Sequence, residues 1–294
     1  MNIVVSGASG YLGFKLIQSF LAQGNRVLAV ARNVSGRLET LAKSSGENLE
    51  LCELDVDDLL FSMAQFQPDV VVSTTCCYET DPKFLTKTVS SNYIFPTTLL
   101  KSTLLLDRRI RFVFVGTSLP ASLNLYSLTK KQFSELGEFF SRTGRVQFVN
   151  VLLESFYGSD EPDNRFIKRT ILALLRNEEL PVTDGCQHRD YVSIADVVSA
   201  MCFISLSDTL TEDYAEISLG SEDAPSIREI LEFLKAETHS DSFINYGAVP
   251  LRPNEPSTKA DLTKLRELGY TKKPCSWKDG MRSMIKEIQH ENIG

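Results

Sequence analysis

A run of three regularly spaced glycines separates a short apolar segment from a helix-period segment. Gly7, Gly10 and Gly13 follow Asn2–Ser6 and open Tyr11–Gln23. Between a strand and a helix, the first glycine permits a tight turn, the second lets a pyrophosphate approach the backbone, and the third lets the helix pack closely. The free N–H groups at the helix start then hold the phosphates. The spacing therefore predicts a dinucleotide-binding turn, with a plain glycine turn as the alternative.

Short apolar runs alternate with helix-period segments through the first half of the chain. The predicted strands are Asn2–Ser6, Arg26–Ala31, Leu49–Leu54, Asp69–Ser73, Arg111–Val115 and Val146–Leu152. The predicted helices between them are Tyr11–Gln23, Arg37–Ser44, Val56–Phe66, Phe84–Leu106 and Ser127–Arg142. Runs that are apolar throughout suit strands buried on both faces, so this rhythm predicts an α/β fold with a parallel sheet and crossover helices.

Beyond about Gly158, the pattern changes to single helices separated by loops that contain proline and glycine. The predicted helices of this part are Arg165–Asn177, Ile194–Ser205, Ser226–Thr238 and Ser276–Gln289. We therefore expect a dinucleotide-binding domain over residues 1–158 and a smaller lobe over residues 159–294. A strand and a helix of the second range can return to the first domain.

Charge and composition exclude several classes of partner. The chain has 31 Lys and Arg against 38 Asp and Glu, a net charge of −7, and no run of four basic residues. Nucleic-acid binders usually carry a basic face, so we expect no nucleic-acid partner. No apolar stretch reaches the roughly 18 residues that span a bilayer, and the early glycines do not suit a signal peptide, so we expect no membrane association and a cytoplasmic location. Six scattered cysteines without a CxxC pair and three distant histidines predict neither a disulfide framework nor a metal site.

The end of the second predicted strand bears on which nicotinamide cofactor binds. A carboxylate there accepts from the adenosine ribose, whereas an arginine can bind a 2′-phosphate. Arg32 stands at this place and Arg37 follows, which favours NADP(H) and leaves NAD(H) as the alternative. The alternative is that Arg32 is a solvated surface charge without a role in cofactor binding. Asp55 is placed to accept from the adenine amino group, or else to cap a helix that begins at Val56.

A tyrosine and a lysine are spaced four residues apart on a predicted helix. Tyr126 and Lys130 therefore lie on one helix face. A nearby ammonium favours the phenolate and lowers a tyrosine pKa that is about 10 when unperturbed, which suits an acid or base near neutrality. Thr117 and Ser118 follow the strand Arg111–Val115, where a hydroxyl can hold a substrate carbonyl oxygen. The order Thr, Tyr, Lys predicts a catalytic set.

Motifs over nearly the whole chain resemble the extended short-chain dehydrogenase/reductase family of nucleotide-sugar enzymes, the NAD-dependent epimerase/dehydratase family. They are GASGYLG at Gly7–Gly13, the Asp55 turn, Pro68–Val72, Asn92, YSLTK at Tyr126–Lys130, Phe156–Gly158, Arg189–Val192 with Asp196, and Leu268–Tyr270. Within them, Tyr126–Ile167 resembles the bacterial reductases that make CDP-abequose and CDP-paratose. The resemblance implies a Rossmann-type, doubly wound parallel sheet with a smaller C-terminal substrate-binding lobe.

The resemblance also implies roles for individual residues. Tyr126 is the expected acid/base, Lys130 lowers its pKa and binds the nicotinamide ribose, and Thr117 binds the carbonyl oxygen. The expected cofactor-binding residues are Gly7, Ser9, Gly10, Tyr11, Leu12, Gly13, Arg32, Arg37, Asp55, Val56, Thr74, Thr75, Cys76, Tyr126 and Lys130. The expected substrate-binding residues are Tyr78, Ser118, Ser155, Asn164, Arg165, Arg189 and Arg252, of which the last four face the nucleotide diphosphate. Arg189 and Arg252 could equally be surface charges paired to Asp190 or Glu255.

The sequence departs from the family pattern at several places. The segment between Thr117 and Tyr126 has only eight residues, where the family usually has more. Leu152 or Leu153 replaces a common arginine, and Ser73–Thr75 replaces the usual His-Leu-Ala. Ser118 and Leu119 stand where dehydratases carry Asp-Glu, so the acid and base that eliminate water are missing and dehydration is not expected.

The expected function is an NADPH-dependent reductase of the C4 ketone of a nucleotide-activated 4-keto-6-deoxy or 3,6-dideoxy hexose, in deoxysugar synthesis for surface polysaccharide. CDP or dTDP is the favoured nucleotide. The alternatives are an NAD-dependent nucleotide-sugar 4-epimerase and a non-catalytic protein that senses NADP(H). Apolar residues on two predicted helices suit either ordinary core or a two-fold helix bundle in a homodimer; they are Ile94, Phe95, Leu99, Leu100, Phe133, Leu136, Phe139 and Phe140.

Overall fold

The computed structural model describes residues 1–34, 36–54, 57–79 and 81–291. The strands are β1 Asn2–Ser6, β2 Arg26–Ala31, β3 Leu49–Glu53, β4 Val70–Ser73, β5 Ile110–Val115, β6 Val146–Leu153, β7 Ser155–Tyr157, β8 Leu180–Val182, β9 Tyr191–Ser193, β10 Tyr214–Leu219 and β11 Ile244–Tyr246. The α-helices are α1 Tyr11–Ala22, α2 Arg37–Ser45, α3 Leu59–Phe66, α4 Leu85–Val89, α5 Phe95–Leu105, α6 Leu125–Ser141, α7 Phe166–Leu175, α8 Ile194–Leu206, α9 Ile227–Thr238, α10 Thr263–Glu267 and α11 Trp277–Glu291. Short 3₁₀ turns lie at Gly46–Asn48 and Pro82–Phe84, and a π-helix lies at Ser90–Ile94.

Seven strands form the central sheet in the order β10-β6-β5-β4-β1-β2-β3. The pairs β1–β2, β1–β4, β2–β3, β4–β5 and β5–β6 are parallel. The chain moves outward from β1 in one direction through β2 and β3, and in the other through β4. The fold is therefore the predicted Rossmann-type, doubly wound sheet, and the carboxyl ends of β1 and β4 flank its switch point.

An aromatic cluster fills the space between the sheet and α6. The Phe112 and Phe148 rings stack with centroids 5.5 Å apart, and Phe114 meets Phe133 edge to face at 4.6 Å. Gly137 lets the helix approach this cluster, because a Cβ at that position would lie 2.1 Å from Cζ of Phe148. Close packing of this kind fixes α6, the helix that carries Tyr126 and Lys130, against β5 and β6.

The chain divides into two compact units. The first comprises Met1–Leu153, Val198–Ile217 and Glu267–Tyr270, and the second comprises Glu154–Val197, Ser218–Arg266 and Thr271–Gly294. The chain thus leaves the first unit after Leu153, whereas the sequence analysis places the boundary at Gly158. The second unit contains two parallel strand pairs, β7–β9 and β11–β8. Its core lies among α7, α9 and α11 and includes Ile171, Leu231 and Met281.

The predicted long helix Phe84–Leu106 falls on four successive segments in the structure. A 3₁₀ turn and α4 precede the π-helix Ser90–Ile94, and α5 then begins with Pro96 at its second position. Proline lacks an N–H and suits the first turn of a helix rather than its interior. Another boundary also moves: α3 begins at Leu59 instead of Val56, because the Asp58 carboxylate accepts a hydrogen bond from Phe61 N at 2.8 Å and caps the helix.

Some elements escaped prediction altogether. The edge strand β10 alternates buried and half-buried or exposed positions, and β7, β8, β9 and β11 have three residues each. Among the described residues, no helix combines the length and the apolar character that crossing a membrane requires. In the same part of the chain, no group of three His, Cys, Asp or Glu side chains is arranged to hold a metal ion.

Candidate active site

The glycine-rich turn is packed so closely that side chains would not fit. Gly7 has φ +74°, and Gly10 N donates to Gly7 O at 2.8 Å. A Cβ at Gly13 would lie 2.3 Å from Gly7 O, and a Cβ at Gly7 would lie 2.7 Å from Thr74 Oγ1. Among the described residues, no side chain caps α1 at Gly10 and no carboxylate lies in its first turn. The turn thus leads into a positive helix end, which fits a dinucleotide pyrophosphate.

Hydroxyl groups join the glycine turn to the end of β4. Thr74 Oγ1 donates to Ser6 O at 2.8 Å, and Ser6 Oγ lies 3.4 Å from Ser73 Oγ and 3.3 Å from Thr75 Oγ1. The structure therefore brings Thr74 and Thr75, two of the expected cofactor residues, to the same edge of the sheet as Gly7. The Thr74 hydroxyl bonds the backbone there and the Thr75 hydroxyl bonds the Ser6 side chain, which the sequence pattern did not reveal.

The two arginines expected near a 2′-phosphate differ in their contacts. Arg37 Nη2 donates to Ser9 O at 2.8 Å and to Gly10 O at 3.2 Å, and its guanidinium lies 4.3 Å from the Phe14 ring centroid. Arg37 therefore holds the glycine turn itself. Arg32 is exposed just after β2. Asp55 and Val56, the expected adenine contacts, lie outside the described residues.

Lys130 lies at the carboxyl ends of β4 and β5. Its Nζ donates to Thr75 O at 3.0 Å and to Val115 O at 2.9 Å, and lies 4.6 Å from the Phe114 ring centroid. The residue is 1% exposed. Burial lowers the pKa of Lys130 to about 8, and the nearby Cys76 side chain opposes this shift in part. Lys130 is therefore a desolvated amine that titrates close to neutrality.

Tyr126 and Thr117 occupy neighbouring segments of the first unit. Tyr126 is the second residue of α6, whose start is fixed by a capping box between Asn124 and Ser127. Thr117 is 3% exposed, follows β5 by two residues, and accepts a hydrogen bond from Leu119 N at 3.2 Å. Thr117 thus follows the end of β5, and Tyr126 and Lys130 lie in the first two turns of α6, the helix that follows. Lys130 is tied to the end of β5 through the Val115 carbonyl. Ser118 is half-buried beside Thr117.

Sequence reasoning gave no role to Asn92, which is fully buried in the π-helix. Its Oδ1 accepts from Cys77 N at 2.7 Å, and its Nδ2 donates to Cys77 O at 2.9 Å and to Thr129 Oγ1 at 3.2 Å. This amide joins the loop after β4 to α6. The available signal was an asparagine inside an otherwise apolar helical segment, where a buried amide needs partners.

Arg165, in the second unit, has an anchored guanidinium. Its Nε lies 2.9 Å from Glu161 Oε2, its Nη2 donates to Phe156 O at 2.9 Å, and the group lies 4.2 Å from the Phe156 ring centroid. Glu161 is 2% exposed. Burial raises the pKa of Glu161 to about 7, although Arg165 and Lys168 both oppose the shift. Sequence reasoning named Arg165 but missed Glu161.

The remaining expected substrate residues of the second unit are not gathered around one group. Arg189 is buried, pairs with Glu255 and donates to Pro256 O, which is the ion-pair alternative of the sequence analysis. The other proposed pairing, with Asp190, is wrong, because that carboxylate accepts from Ser221 N, Glu222 N and Ala260 N at 2.7, 3.0 and 3.1 Å. Ser155 is half-buried in β7, and Asn164 and Arg252 are exposed in loops.

Comparisons with known proteins agree with this architecture. The model of the NAD dependent epimerase/dehydratase family matches residues 3–215. CDP-abequose synthase of Salmonella typhimurium is 27% identical, over 97% of this chain and 98% of its own length. UDP-glucose 4-epimerase of Thermotoga maritima, solved with UDP-glucose, superimposes with a TM-score of 0.84 at 20% identity, over 100% of both chains. UDP-glucuronic acid 4-epimerase of Bacillus cereus, solved with UDP-glucuronic acid and NAD, superimposes with a TM-score of 0.84 at 21% identity. This superposition covers 99% of the present chain and 100% of the epimerase chain.

Proposed function

Because the chain belongs to the NAD dependent epimerase/dehydratase family, we propose that it is an NADPH-dependent reductase of a nucleotide-sugar ketone. The proposed substrate is a CDP- or dTDP-activated 4-keto-6-deoxy or 3,6-dideoxy hexose, reduced at C4. The observation that carries the proposal is the buried Lys130 amine, tied to Thr75 O and Val115 O one helical turn from Tyr126. A buried amine beside a phenol suits proton transfer to an alkoxide.

The residues of the glycine turn fit a dinucleotide cofactor, since among the described residues no side chain caps the positive end of α1 and no carboxylate lies in its first turn. The cofactor would supply the hydride when bound. Tyr126 Oη donates the proton that converts the C4 alkoxide to a hydroxyl, and Thr117 Oγ1 donates a hydrogen bond to the same oxygen. The positive charge of Lys130 then stabilises the phenolate that remains. Arg165 is the proposed ligand for a diphosphate oxygen in the second unit, where Glu161 and Phe156 hold its guanidinium.

Two features support a reductase with NADPH. Arg32 and Arg37 flank the end of β2, where a 2′-phosphate gains from a guanidinium. The relative CDP-abequose synthase is named for a CDP-sugar product. A second candidate, a 4-epimerase with retained NAD, is favoured by the epimerase folds described above, one of which contains NAD. Ser118 and Leu119 in place of an acid pair argue against dehydration in either case.

We also propose a homodimer formed through α6 and the helical segment that comprises the π-helix and α5. Within the apolar stripe, Leu99, Leu100 and Phe133 belong to the core, whereas Ile94 and Phe139 are 52% and 62% exposed. Exposed large apolar residues on adjacent helices suit a subunit contact.

The decisive experiment follows the absorbance of reduced nicotinamide with CDP- and dTDP-4-keto-6-deoxyhexoses, using NADPH and NADH separately. We expect consumption of NADPH and a single C4 alcohol. Tyr126→Phe should lower kcat by a factor on the order of 10² or more, because it removes the proton donor. Nicotinamide that copurifies with the enzyme, combined with C4 inversion of an alcohol substrate, would instead establish the epimerase. Undiminished function in Tyr126→Phe would point to a non-catalytic sensor.

A further inference from the structure

An exposed aromatic ring lies against the proposed acid/base. The ring centroids of Tyr78 and Tyr126 are 4.6 Å apart and their planes are inclined by 34°. Tyr78 is 59% exposed, whereas Tyr126 is 8% exposed. Tyr78 therefore lies on the outer side of Tyr126. Aromatic pairs at this separation attract each other beyond their shared apolar area.

The backbone on both sides of Tyr78 is fixed by buried side chains. Asn92 makes hydrogen bonds to both the N–H and the carbonyl of Cys77, at 2.7 and 2.9 Å. On the other side, Thr88 Oγ1 donates to Glu79 O at 3.1 Å. Asn92 and Thr88 are both fully buried. The Tyr78 ring consequently projects from a segment that is held in place, although the ring itself is exposed.

The same amide also holds the helix that carries Tyr126. Asn92 Nδ2 donates to Thr129 Oγ1 at 3.2 Å, and Thr129 Oγ1 in turn donates to Tyr126 O at 3.0 Å. The Asn92 amide and the Thr129 hydroxyl thus connect the backbone of Cys77, next to Tyr78, with the carbonyl of Tyr126. The relative placement of the two aromatic residues is set by this network.

We propose that Tyr78 is a positioning residue for the Tyr126 phenol, a role that rests on the function proposed above. Its ring keeps Tyr126 in one rotamer near Lys130 and shields one face of the phenol from water. The ring carries this role, because the contact joins the two aromatic rings. A displacement of about 1 Å at the reacting group can cost on the order of 10² in rate, so a freely turning phenol would transfer its proton less efficiently.

The kinetic test compares Tyr78→Phe, which keeps the ring, with Tyr78→Ala, which removes it. We expect Tyr78→Phe to retain kcat within about twofold, because the ring contact persists. Tyr78→Ala should lower kcat by roughly 10-fold to 10², with a smaller change in KM. Phe243→Ala is the matched control, since Phe243 is an aromatic residue of the second unit with 64% exposure. A change confined to KM in Tyr78→Ala would mean that Tyr78 only contacts substrate, and would overturn the proposal.

A second measurement needs no substrate. With ¹³C-labelled tyrosine, the Tyr126 signal is assigned by its loss in Tyr126→Phe and then titrated in wild type, Tyr78→Phe and Tyr78→Ala. We expect the titration midpoint to be the same in wild type and Tyr78→Phe and to differ in Tyr78→Ala, because the ring contact sets the surroundings of the Tyr126 phenol. Identical midpoints in all three proteins would overturn the proposal. If wild type reduces none of the sugars, the proposed function fails, while this titration still decides the role of Tyr78.

Discussion

Replacing the buried Glu161 by glutamine should change how the stability of the second unit depends on pH. The Glu161 side chain is 1% exposed, beside Arg165 Nε at 2.9 Å, and accepts from Lys168 N at 3.3 Å. Burial raises the pKa of this carboxyl from 4.5 to about 7 despite both cationic neighbours. The protonated form is therefore the one that folding favours.

The sign and size of the effect follow from that shift. A carboxyl whose pKa is raised by folding contributes stability that is complete below pH 4.5 and is lost as the pH rises through about 7. At about 1.4 kcal/mol per pH unit, the interval between these two values corresponds to roughly 3 kcal/mol. Glu161→Gln stays neutral at every pH, so it should lack this loss.

The assay is urea unfolding of wild type and Glu161→Gln at several pH values from 4.5 to 8.5. Trp277, the single tryptophan, is buried in the second unit and reports by fluorescence on the part of the chain that contains Glu161. The free energy of unfolding of wild type should fall by roughly 3 kcal/mol relative to the variant across this range. Asp163→Asn, which alters an exposed carboxylate on the same loop, should follow wild type. Parallel pH curves for wild type and Glu161→Gln would refute the argument.

Four further outcomes are expected. The kcat for reduction should fall as the pH rises through about 8, where the buried Lys130 loses its charge; a pH profile that stays flat to pH 9.5 would contradict this role. Arg32→Ala should raise the KM for NADPH about 10-fold and leave that for NADH unchanged, since hydrogen bonds between charged groups are worth roughly 1.5 kcal/mol or more. Arg37→Ala should weaken the binding of both NADPH and NADH, because the Arg37 guanidinium also bonds the carbonyls of Ser9 and Gly10 in the glycine turn. Phe139→Glu should convert the proposed dimer to a monomer in light scattering, whereas an unchanged mass would exclude α6 from the interface.

The central sheet was predictable because its strands are buried on both faces. All six predicted strands occur, and their ends differ from the predicted ends by no more than one residue. The edge strand β10 was missed because its alternating pattern resembles a half-exposed loop more than a buried run. The π-helix was hidden for another reason: Ser90–Ile94 lies inside a continuous helix-period segment, and the hydrogen bonds of its buried Asn92 to Cys77 are made across 15 residues.

The candidate site was predictable where chemistry is local. Gly7, Gly13 and Lys130 could be named from spacing alone. Partnerships between distant segments could not: Thr74 and Ser6 are 68 residues apart, and nothing near either of them predicts the hydrogen bond from Thr74 Oγ1 to Ser6 O. Burial of charge was equally hidden, since Glu161 stands in a polar loop that gives no sign of its 2% exposure.

The departure from the family pattern after β4 has a structural consequence at the glycine turn. Thr74 Oγ1 would lie 2.7 Å from a Cβ at Gly7 and 2.9 Å from one at Gly13, and its hydrogen bond to Ser6 O prevents it from moving aside. Because Gly13 also faces Gly7 O, both glycines are required by their neighbours as well as by the cofactor. Hydroxyls at this edge thus satisfy backbone groups and fill space at the turn. A change at Thr74 should therefore act on the proposed cofactor binding through the conformation of the glycine turn. The residue at the end of β4 and the glycines at positions 7 and 13 thus limit each other's size.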